Sequence, residues 1–180
     1  MANQLTSRML RAAQLDVSLY EEVEADRGAT LQALLVVVLS SMAAGLGAIG
    51  DLPGFGVLGL SIATLAALVG WVVWALLTYF IGTKLLPGPD TKADVGELLR
   101  TTGFSSAPGV IRVLGLVPVV GRLFFYAAAV WMLVAMVVAV RQALDYRSTP
   151  RALAVCILGW IVSLAIGWLV SGSPLNGLSR

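Results

Sequence analysis

One charged residue inside a long apolar run is the strongest candidate for chemistry in this sequence. Arg112 is followed by eight uncharged residues, Val113 to Val120. An arginine near the centre of a membrane span costs about 2.5–3.5 kcal/mol to insert, so an intramembrane arginine is a candidate functional residue. Two interpretations are open. The side chain is either structural and snorkels over roughly 12 Å to the outer interface, or it meets a water-filled cavity, a lipid headgroup or an acid of a partner protein.

The residues needed for metal binding and acid–base catalysis are scarce. The chain contains no histidine, and its single cysteine, Cys156, lies in an apolar run. An intrachain disulfide is therefore impossible, and a cysteine–histidine metal site of the usual spacing is excluded. General acid–base catalysis has few candidates, because no apolar run contains an acid. We therefore expect a non-enzymatic protein without a cofactor or a metal.

Two glycine patterns match the dinucleotide-binding fingerprint by their letters alone, Gly45-x-Gly47-x-x-Gly50 and Gly54-x-Gly56-x-x-Gly59. The functional motif follows a strand, begins a soluble helix and is followed by an acid about 20 residues later. Both patterns lie at the ends of apolar runs, and neither is followed by that acid. We interpret these glycines as sites of close helix packing and of a tight turn.

The composition indicates that lipid is the main solvent of this chain. Of its 180 residues, 58% are hydrophobic and only 12% are charged, and the mean hydropathy is +0.90. Soluble domains have about 25% charged residues, and roughly 20 apolar residues cross a bilayer as a helix. The sequence predicts an all-α polytopic membrane bundle with five transmembrane helices and an N-terminal interfacial helix. The net charge of +2 gives no argument for nucleic acid as a partner.

The predicted spans are residues 29–49, 57–81, 101–120, 121–143 and 152–170. The short turn between the third and fourth spans predicts a tight antiparallel hairpin. Pro108 is expected to kink or restart the third span, with Ser105 and Ser106 bonding the freed backbone groups. In the polar connection before it, Asp90 or Thr91 is expected to cap a short helix that ends at Leu99.

The N-terminal region divides into an apolar-patterned stretch and an acidic cluster. The spacing of apolar residues over 3–20 predicts an amphipathic interfacial helix whose Arg8 and Arg11 reach lipid headgroups; a disordered polar tail is the alternative. The cluster, which is either a solvated face or a site for a cation or partner, consists of Glu21, Glu22, Glu24 and Asp26.

Basic residues predict the orientation. Nine lysines and arginines flank the spans on the side of the N-terminus, and two, Arg122 and Arg180, lie on the other side. Basic loops stay in the cytoplasm, so the N-terminus is expected inside and the C-terminus outside. The expected organisation is a cytoplasmic N-terminal segment at residues 1–28, a membrane domain at 29–170 and an external tail at 171–180.

Small residues recur at every fourth position of the last span, at Gly159, Ser163, Gly167 and Ser171. Small residues allow helix backbones to approach closely in lipid, where no hydrophobic force drives helices together. This face is therefore predicted to pack against another helix, either of this chain or of a partner.

The segment Gly103-Phe104-Ser105-Ser106-Ala107-Pro108 resembles the Gly-Tyr-x-x-x-Pro motif of the Yip family, the Rab/Ypt-interacting membrane proteins. The order of five spans, the Pro-Gly break at residues 118–121 and Trp131 in the fourth span are also similar to this family. The resemblance extends over about residues 15–170. It implies a non-enzymatic membrane protein that acts through lipid shaping or partner binding.

The chain departs from the Yip pattern in ways that limit what the resemblance implies. Phe104 replaces the tyrosine of the motif, the cytosolic Asp-Leu-Tyr-Gly-Pro motif is absent, and the cytosolic arm has fewer than about thirty residues. The chain thus resembles the short prokaryotic branch, and Rab binding and vesicle budding are not expected of it. The resemblance suggests a scaffold or accessory subunit of a prokaryotic plasma membrane, with lipids and with integral membrane proteins or itself as partners. The alternative is a small transporter or channel component that uses Arg112 and the kinked third span.

Overall fold

The computed structural model describes residues 2–48, 56–117 and 119–171, and the structural statements that follow concern these residues. Their regular structure is helical. A π-helical turn, Ile81–Leu85, extends α4, and a 3-10 helix, Ala107–Leu116, lies between α5 and α6. The α-helices are α1 (Ala2–Ala13), α2 (Val17–Ala25), α3 (Ala29–Gly47), α4 (Val57–Phe80), α5 (Val95–Phe104), α6 (Gly121–Ala143) and α7 (Thr149–Ser171).

Four helices within the described residues are long and apolar enough to cross a membrane: α3, α4 with its π-turn, α6 and α7. They coincide with the first, second, fourth and fifth predicted spans. The prediction of an all-α bundle of apolar helices is therefore confirmed in these elements. Their agreement follows from composition, since each is an uninterrupted apolar run of at least 18 residues.

The third predicted span, residues 101–120, is interrupted near the expected kink or restart at Pro108. The α-helix ends at Phe104, and the chain continues after Ser105 and Ser106 as the 3-10 helix. Pro108 explains the change, because proline has no backbone N–H and disfavours the α conformation of the residue before it. Gly109 N instead bonds Ser106 O at 2.9 Å, three residues back.

Helix α5 begins later and ends later than expected. Asp94 is its N-cap, rather than Asp90 or Thr91, and it forms a capping box with Glu97. Thr91 takes another role, since its hydroxyl accepts a bond from Gly88 N and donates one to Leu144 O. The helix then runs through Arg100 to Phe104, because the buried end of α5 packs against other helices.

The broken element formed by α5 and the 3-10 helix lies beside α3 in the same direction. Gly103 meets Ala33, Gly109 meets Ser40, and Gly115 meets Gly47, so the contacts advance along both elements together. Helix α6 then returns in the opposite direction after a tight turn. Val119 in that turn has a φ of 73°. The predicted antiparallel arrangement across this turn is thus present, between a 3-10 helix and α6.

The N-terminal stretch forms two helices instead of one. Leu15, with a φ of 60°, reverses the chain, and Asp16 caps α2 by accepting a bond from Ser18 N. The buried side of both helices joins a core with α3, α5 and α6, which includes Ala12, Tyr20 and Phe104. The N-terminal segment is therefore an integral part of the helical bundle.

Candidate functional site

Gly103, the first residue of the motif, lies where α5 crosses α3. A Cβ added to Gly103 would lie 2.7 Å from the Cβ of Ala33 and 3.2 Å from its backbone. Contacts this short are not tolerated, so only glycine permits the observed distance between the two helices. The motif glycine is thus a packing residue that sets the position of the broken element.

Phe104, the second motif residue, is fully buried at the contact of the N-terminal helices with the bundle. Its neighbours in this core include Ala12, Leu19 and Tyr20. A phenylalanine needs no hydrogen-bond partner here, whereas a buried hydroxyl without one is costly. The departure from the tyrosine of the Yip motif therefore matches an apolar environment.

Ser105 and Pro108 produce the break in the third apolar run. The hydroxyl of Ser105 donates to Thr102 O at 2.7 Å, as expected for a serine that bonds a freed carbonyl. Pro108 is buried in the first turn of the 3-10 helix, where its missing N–H is tolerated. A 3-10 helix of ten residues is unusually long, and such stretches often occur at functional hinges.

Arg112 extends from this 3-10 helix towards α6. Its Nη2 lies 2.8 Å from the sulfur of Met132, and its guanidinium carbon lies 5.4 Å from the centre of the Phe125 ring. Its Nε is buried and has no hydrogen-bond partner. None of the described acids forms an ion pair with it. The side chain is half-buried, so a cation lies beside soft and aromatic groups within the bundle.

Two cavities meet at Arg112. The larger one, of about 480 Å³, lies between α4, α6 and α7 and is almost entirely apolar; it includes Cys156 and Trp160. The smaller one, of about 260 Å³, lies between α3, α4 and the break, and Ser40 and Ser106 contribute hydroxyls to it. Arg112 is therefore positioned between an apolar space and a space with polar groups.

The two N-terminal arginines bind acids of the chain itself. Arg8 is buried and pairs with Glu22 and Asp26, while Arg11 pairs with Asp16 and Glu22. The expectation of contact with lipid headgroups is wrong for the buried Arg8, while for the partly exposed Arg11 it stays a prediction. The hydrogen bonds from Arg11 lower the pKa of Asp16 and of Glu22, and the bond from Arg8 lowers that of Asp26. Part of the acidic cluster is thus the internal counter-charge of α1.

Arg100 is a structural residue that the sequence analysis missed. It is buried, and its Nε donates to Val23 O at 2.9 Å and to Glu24 O at 3.0 Å. These carbonyls belong to the last turn of α2, where helical carbonyls lack partners and a cation is favourable. The sequence shows an arginine just before an apolar segment, which indicates a structural role. It does not indicate the partner, because Val23 lies 77 residues away in sequence.

The predicted small-residue face of α7 divides into two parts. Gly159 is buried, and a Cβ there would lie 3.2 Å from the ring of Trp74 in α4. Ser163 is half-buried, Gly167 is exposed, and a Cβ on Gly167 would meet no atom within 4 Å. The side chain of Ser171 lies outside the described residues. The first part of the face, at Gly159, thus packs within the chain. The second part, after Trp160, is half-buried at Ser163 and exposed at Gly167.

Groups of three or more side chains suitable for metal binding were not found in the described parts of the chain. The residues brought together by the fold are instead the motif, the break and Arg112. They form a continuous element that α3 and α6 enclose. The arrangement can position one cation inside the bundle.

Comparison with known families gives one match. Residues 18–170 match the family model described as Yip1 domain, which spans α2 to the last turn of α7. No curated protein matches the chain, and no solved structure matches it.

Proposed function

This chain belongs to the Yip1 domain family, and on that premise we propose that it is a non-enzymatic scaffold or accessory subunit that binds other integral membrane proteins or a second copy of itself. The proposed location is the plasma membrane of a prokaryote. Its helices are long and apolar enough for a multi-pass protein.

The observation that carries the proposal is the packing of α7. Ala152, Val155 and Gly159 in its first half are buried against the bundle. Beyond Trp160 the described side chains are mostly exposed, among them Ile161, Leu164 and Trp168 at 57–69%. A helix attached by half of its length offers the other half to lipid or to a partner helix. Ser163 extends the small-residue face into that half, which favours a helix as the partner.

We propose five crossings, although four helices of the described segments have the length of a span. The broken element follows α3 from Ala33 to Gly47, which is roughly 21 Å at the α-helical rise. That is most of the roughly 30 Å of a bilayer core. A crossing in two short helices is possible where other helices cover the irregular backbone, and α3 and α6 do so here. The basic loops then favour a cytoplasmic N-terminus and an external C-terminus.

The proposed organisation keeps a cytoplasmic segment at residues 1–28, a membrane domain at 29–170 and an external tail at 171–180. Residues 172–180 lie outside the described part of the chain. Tyr20 of the cytoplasmic segment and Phe104 of α5 belong to one core. We therefore propose that the segment acts as a cap that supports the bundle.

Photo-crosslinking in native membranes tests the scaffold proposal. A photoreactive residue at Leu164, which is 69% exposed, is compared with one at Leu65 of α4, which is 63% exposed. We expect Leu164 to form a discrete protein adduct and Leu65 to react mainly with lipid. Extraction in a mild detergent, sizing and mass spectrometry then identify the partner. A monomer that forms no protein adduct at either position would contradict the proposal.

The transporter alternative has one observation in its favour, since Arg112 lies next to a break in the helix and between two cavities. Broken helices and intramembrane charges occur at transport sites. Purified protein in liposomes distinguishes the two functions. Movement of an ion or solute that Arg112→Gln abolishes would favour transport over the scaffold.

A further inference from the structure

The guanidinium of Arg112 has few partners among the residues that the structure describes. Its Nη2 contacts only the weak acceptor sulfur of Met132, and its buried Nε has no partner. Ion pairs with Arg112 are absent among the residues described. A guanidinium carries five donors in a planar fork that suits phosphate and carboxylate oxygens. The unused donors therefore point to an anionic ligand.

The smaller cavity has a mostly apolar lining, but it brings hydroxyl groups to the same space as the guanidinium. It places Ser40, Ser106 and Arg112 around one space of about 260 Å³. Within the described chain, neither of these two serine hydroxyls has a hydrogen-bond partner. Hydroxyl and guanidinium groups that converge on one space are typical of a site that orients a charged headgroup.

The larger cavity supplies an apolar environment that continues from the same residue. Trp74, Met132 and Met136 line both cavities together with Arg112. The larger one has a volume of about 480 Å³, within the usual range for ligand pockets. Its outer rim includes Leu153, Ile157 and Trp160, which are about half exposed on the surface facing the bilayer. A lipid chain could therefore enter between α6 and α7 without crossing a polar region.

From this juxtaposition we propose that the Arg112 site binds an anionic amphiphile. Its single phosphate or carboxylate headgroup bonds Arg112, and its apolar tail occupies the cavity beside Cys156. The apolar entrance favours an amphiphile over a free inorganic anion, which would have to shed its hydration without replacement. The proposal does not depend on a protein partner of α7.

Lipid retention by purified protein tests this site. Delipidated protein in a neutral detergent is titrated separately with dioleoyl phosphatidic acid, oleate, dioleoylglycerol and inorganic phosphate. Native mass spectrometry counts the bound molecules, and thermal unfolding measures protection. We expect one phosphatidic acid or oleate to bind at least about tenfold more tightly than dioleoylglycerol, since charge-assisted bonds to the headgroup are lost in the neutral lipid. The relative affinity of phosphatidic acid and oleate distinguishes a phospholipid from a fatty acid as the ligand.

Two variants separate the headgroup from the tail. Arg112→Gln removes the charge and should abolish the preference for the anionic lipids. Ala129→Phe fills the larger cavity, keeps Arg112 and should weaken binding of both anionic amphiphiles. Ala127→Phe, on the exposed side of the same helix, is the matched control and should bind like the wild type.

Three results would overturn the proposal. One is equal retention of phosphatidic acid by the wild type, Arg112→Gln and Ala129→Phe. Another is equal affinity for dioleoylglycerol, which would show that the charge contributes nothing. The third is protection by inorganic phosphate as strong as that by the lipids, which would indicate a site for a free anion. Should Arg112→Gln fail to fold, the comparison of Ala129→Phe with Ala127→Phe decides the outcome.

Discussion

The guanidinium of Arg8 lies 2.9 Å from a carboxylate oxygen of Asp26, and this pair joins α1 to the C-terminal end of α2. The same guanidinium lies 2.8 Å from Glu22 and also bonds Gln32. The Arg8 side chain is 5% exposed, so its charge depends on these acceptors. The N-terminal segment is thereby held to the bundle by a buried cation.

Loss of Arg8 should destabilise the protein more than loss of an exposed arginine. We expect Arg8→Gln to reduce the free energy of unfolding by about 2 kcal/mol, because it removes charged hydrogen bonds and leaves Asp26 without its cation, while Glu22 keeps Arg11. Arg147→Gln is the control, since Arg147 pairs with Asp90 but is 81% exposed, and its cost should be below about 1 kcal/mol. Thermal and chemical unfolding in detergent measures both. Equal losses would show that the Arg8 network is not buried in solution.

Glu24 should make stability decrease between about pH 5 and pH 7. Burial, together with the nearby carboxylates of Glu97 and Asp145, raises its pKa from 4.5 to about 7. In that interval the folded chain holds a proton that the unfolded chain releases, so the free energy of unfolding falls as the pH rises. Because the group is about half exposed, the change should be about 1 kcal/mol or less. Unfolding curves at pH 5, 6, 7 and 8 measure it.

The pH test is made specific by substitution. Glu24→Gln should remove most of the decrease and be more stable than the wild type at pH 8. Glu21→Gln, at an exposed position on the same helix, should keep most of the decrease, because Glu21 is the weakest of the charges that raise the pKa of Glu24. Below about pH 4 both variants should lose stability, because Asp16, Glu22 and Asp26 have lowered pKa values and lose their charge there. An unchanged profile in Glu24→Gln would assign the pH dependence to another group.

A methyl group at Gly103 should have the opposite effect to one at Gly70. Gly103→Ala places a Cβ 2.7 Å from Ala33 and should cost about 1–3 kcal/mol as overpacking. Gly70→Ala meets no atom within 4 Å and should stabilise α4 by roughly 0.5–1 kcal/mol through helix propensity. The two melting temperatures give the comparison. A stable Gly103→Ala variant would mean that α3 and α5 can separate without loss.

Restoring the tyrosine of the family motif should also be unfavourable. Phe104→Tyr adds a hydroxyl at a fully buried position, and we expect a loss of about 1–3 kcal/mol because the group has no evident acceptor. Phe80→Tyr is the control, since Phe80 is 55% exposed on α4 and should change stability by less than about 0.5 kcal/mol. A more stable Phe104→Tyr would reveal an acceptor near α2.

Cysteine labelling tests the five-crossing topology. In a Cys156→Ala background, a cysteine at Ser148 should react from the cytoplasmic side and one at Ser173 from the outside. Ser148 lies in the loop before α7, and Ser173 lies outside the described residues. An impermeant maleimide added to intact cells and to inverted vesicles gives the two sides. Labelling of both positions from the same side would show that α7 does not cross the membrane and would contradict the five-crossing topology.

Family membership and the long helices could be predicted from the sequence because their signals are local. The apolar runs that became α3, α4, α6 and α7 carry their hydropathy in adjacent residues, and lipid requires each run to form its own backbone hydrogen bonds. The letters of the motif around Gly103 and Pro108 are equally local, and they placed the chain in the family that the comparison confirmed. The break after Phe104 was predicted as a kink or a restart at Pro108, whereas its form as a 3-10 helix of ten residues was not.

The tertiary structure decided the partners of the charges. The spacing of residues is equally compatible with Arg8 contacting lipid headgroups and with Arg8 pairing with Glu22 and Asp26. Arg100 donates to carbonyls that lie 76 and 77 residues away in sequence. The two cavities beside Arg112 likewise exist only because α3, α4, α6 and α7 are placed around it. The hydropathy of a segment is the sum over adjacent residues, so membrane-spanning helices can be predicted from the sequence. An ion pair or a cavity depends on the positions of several helices at once.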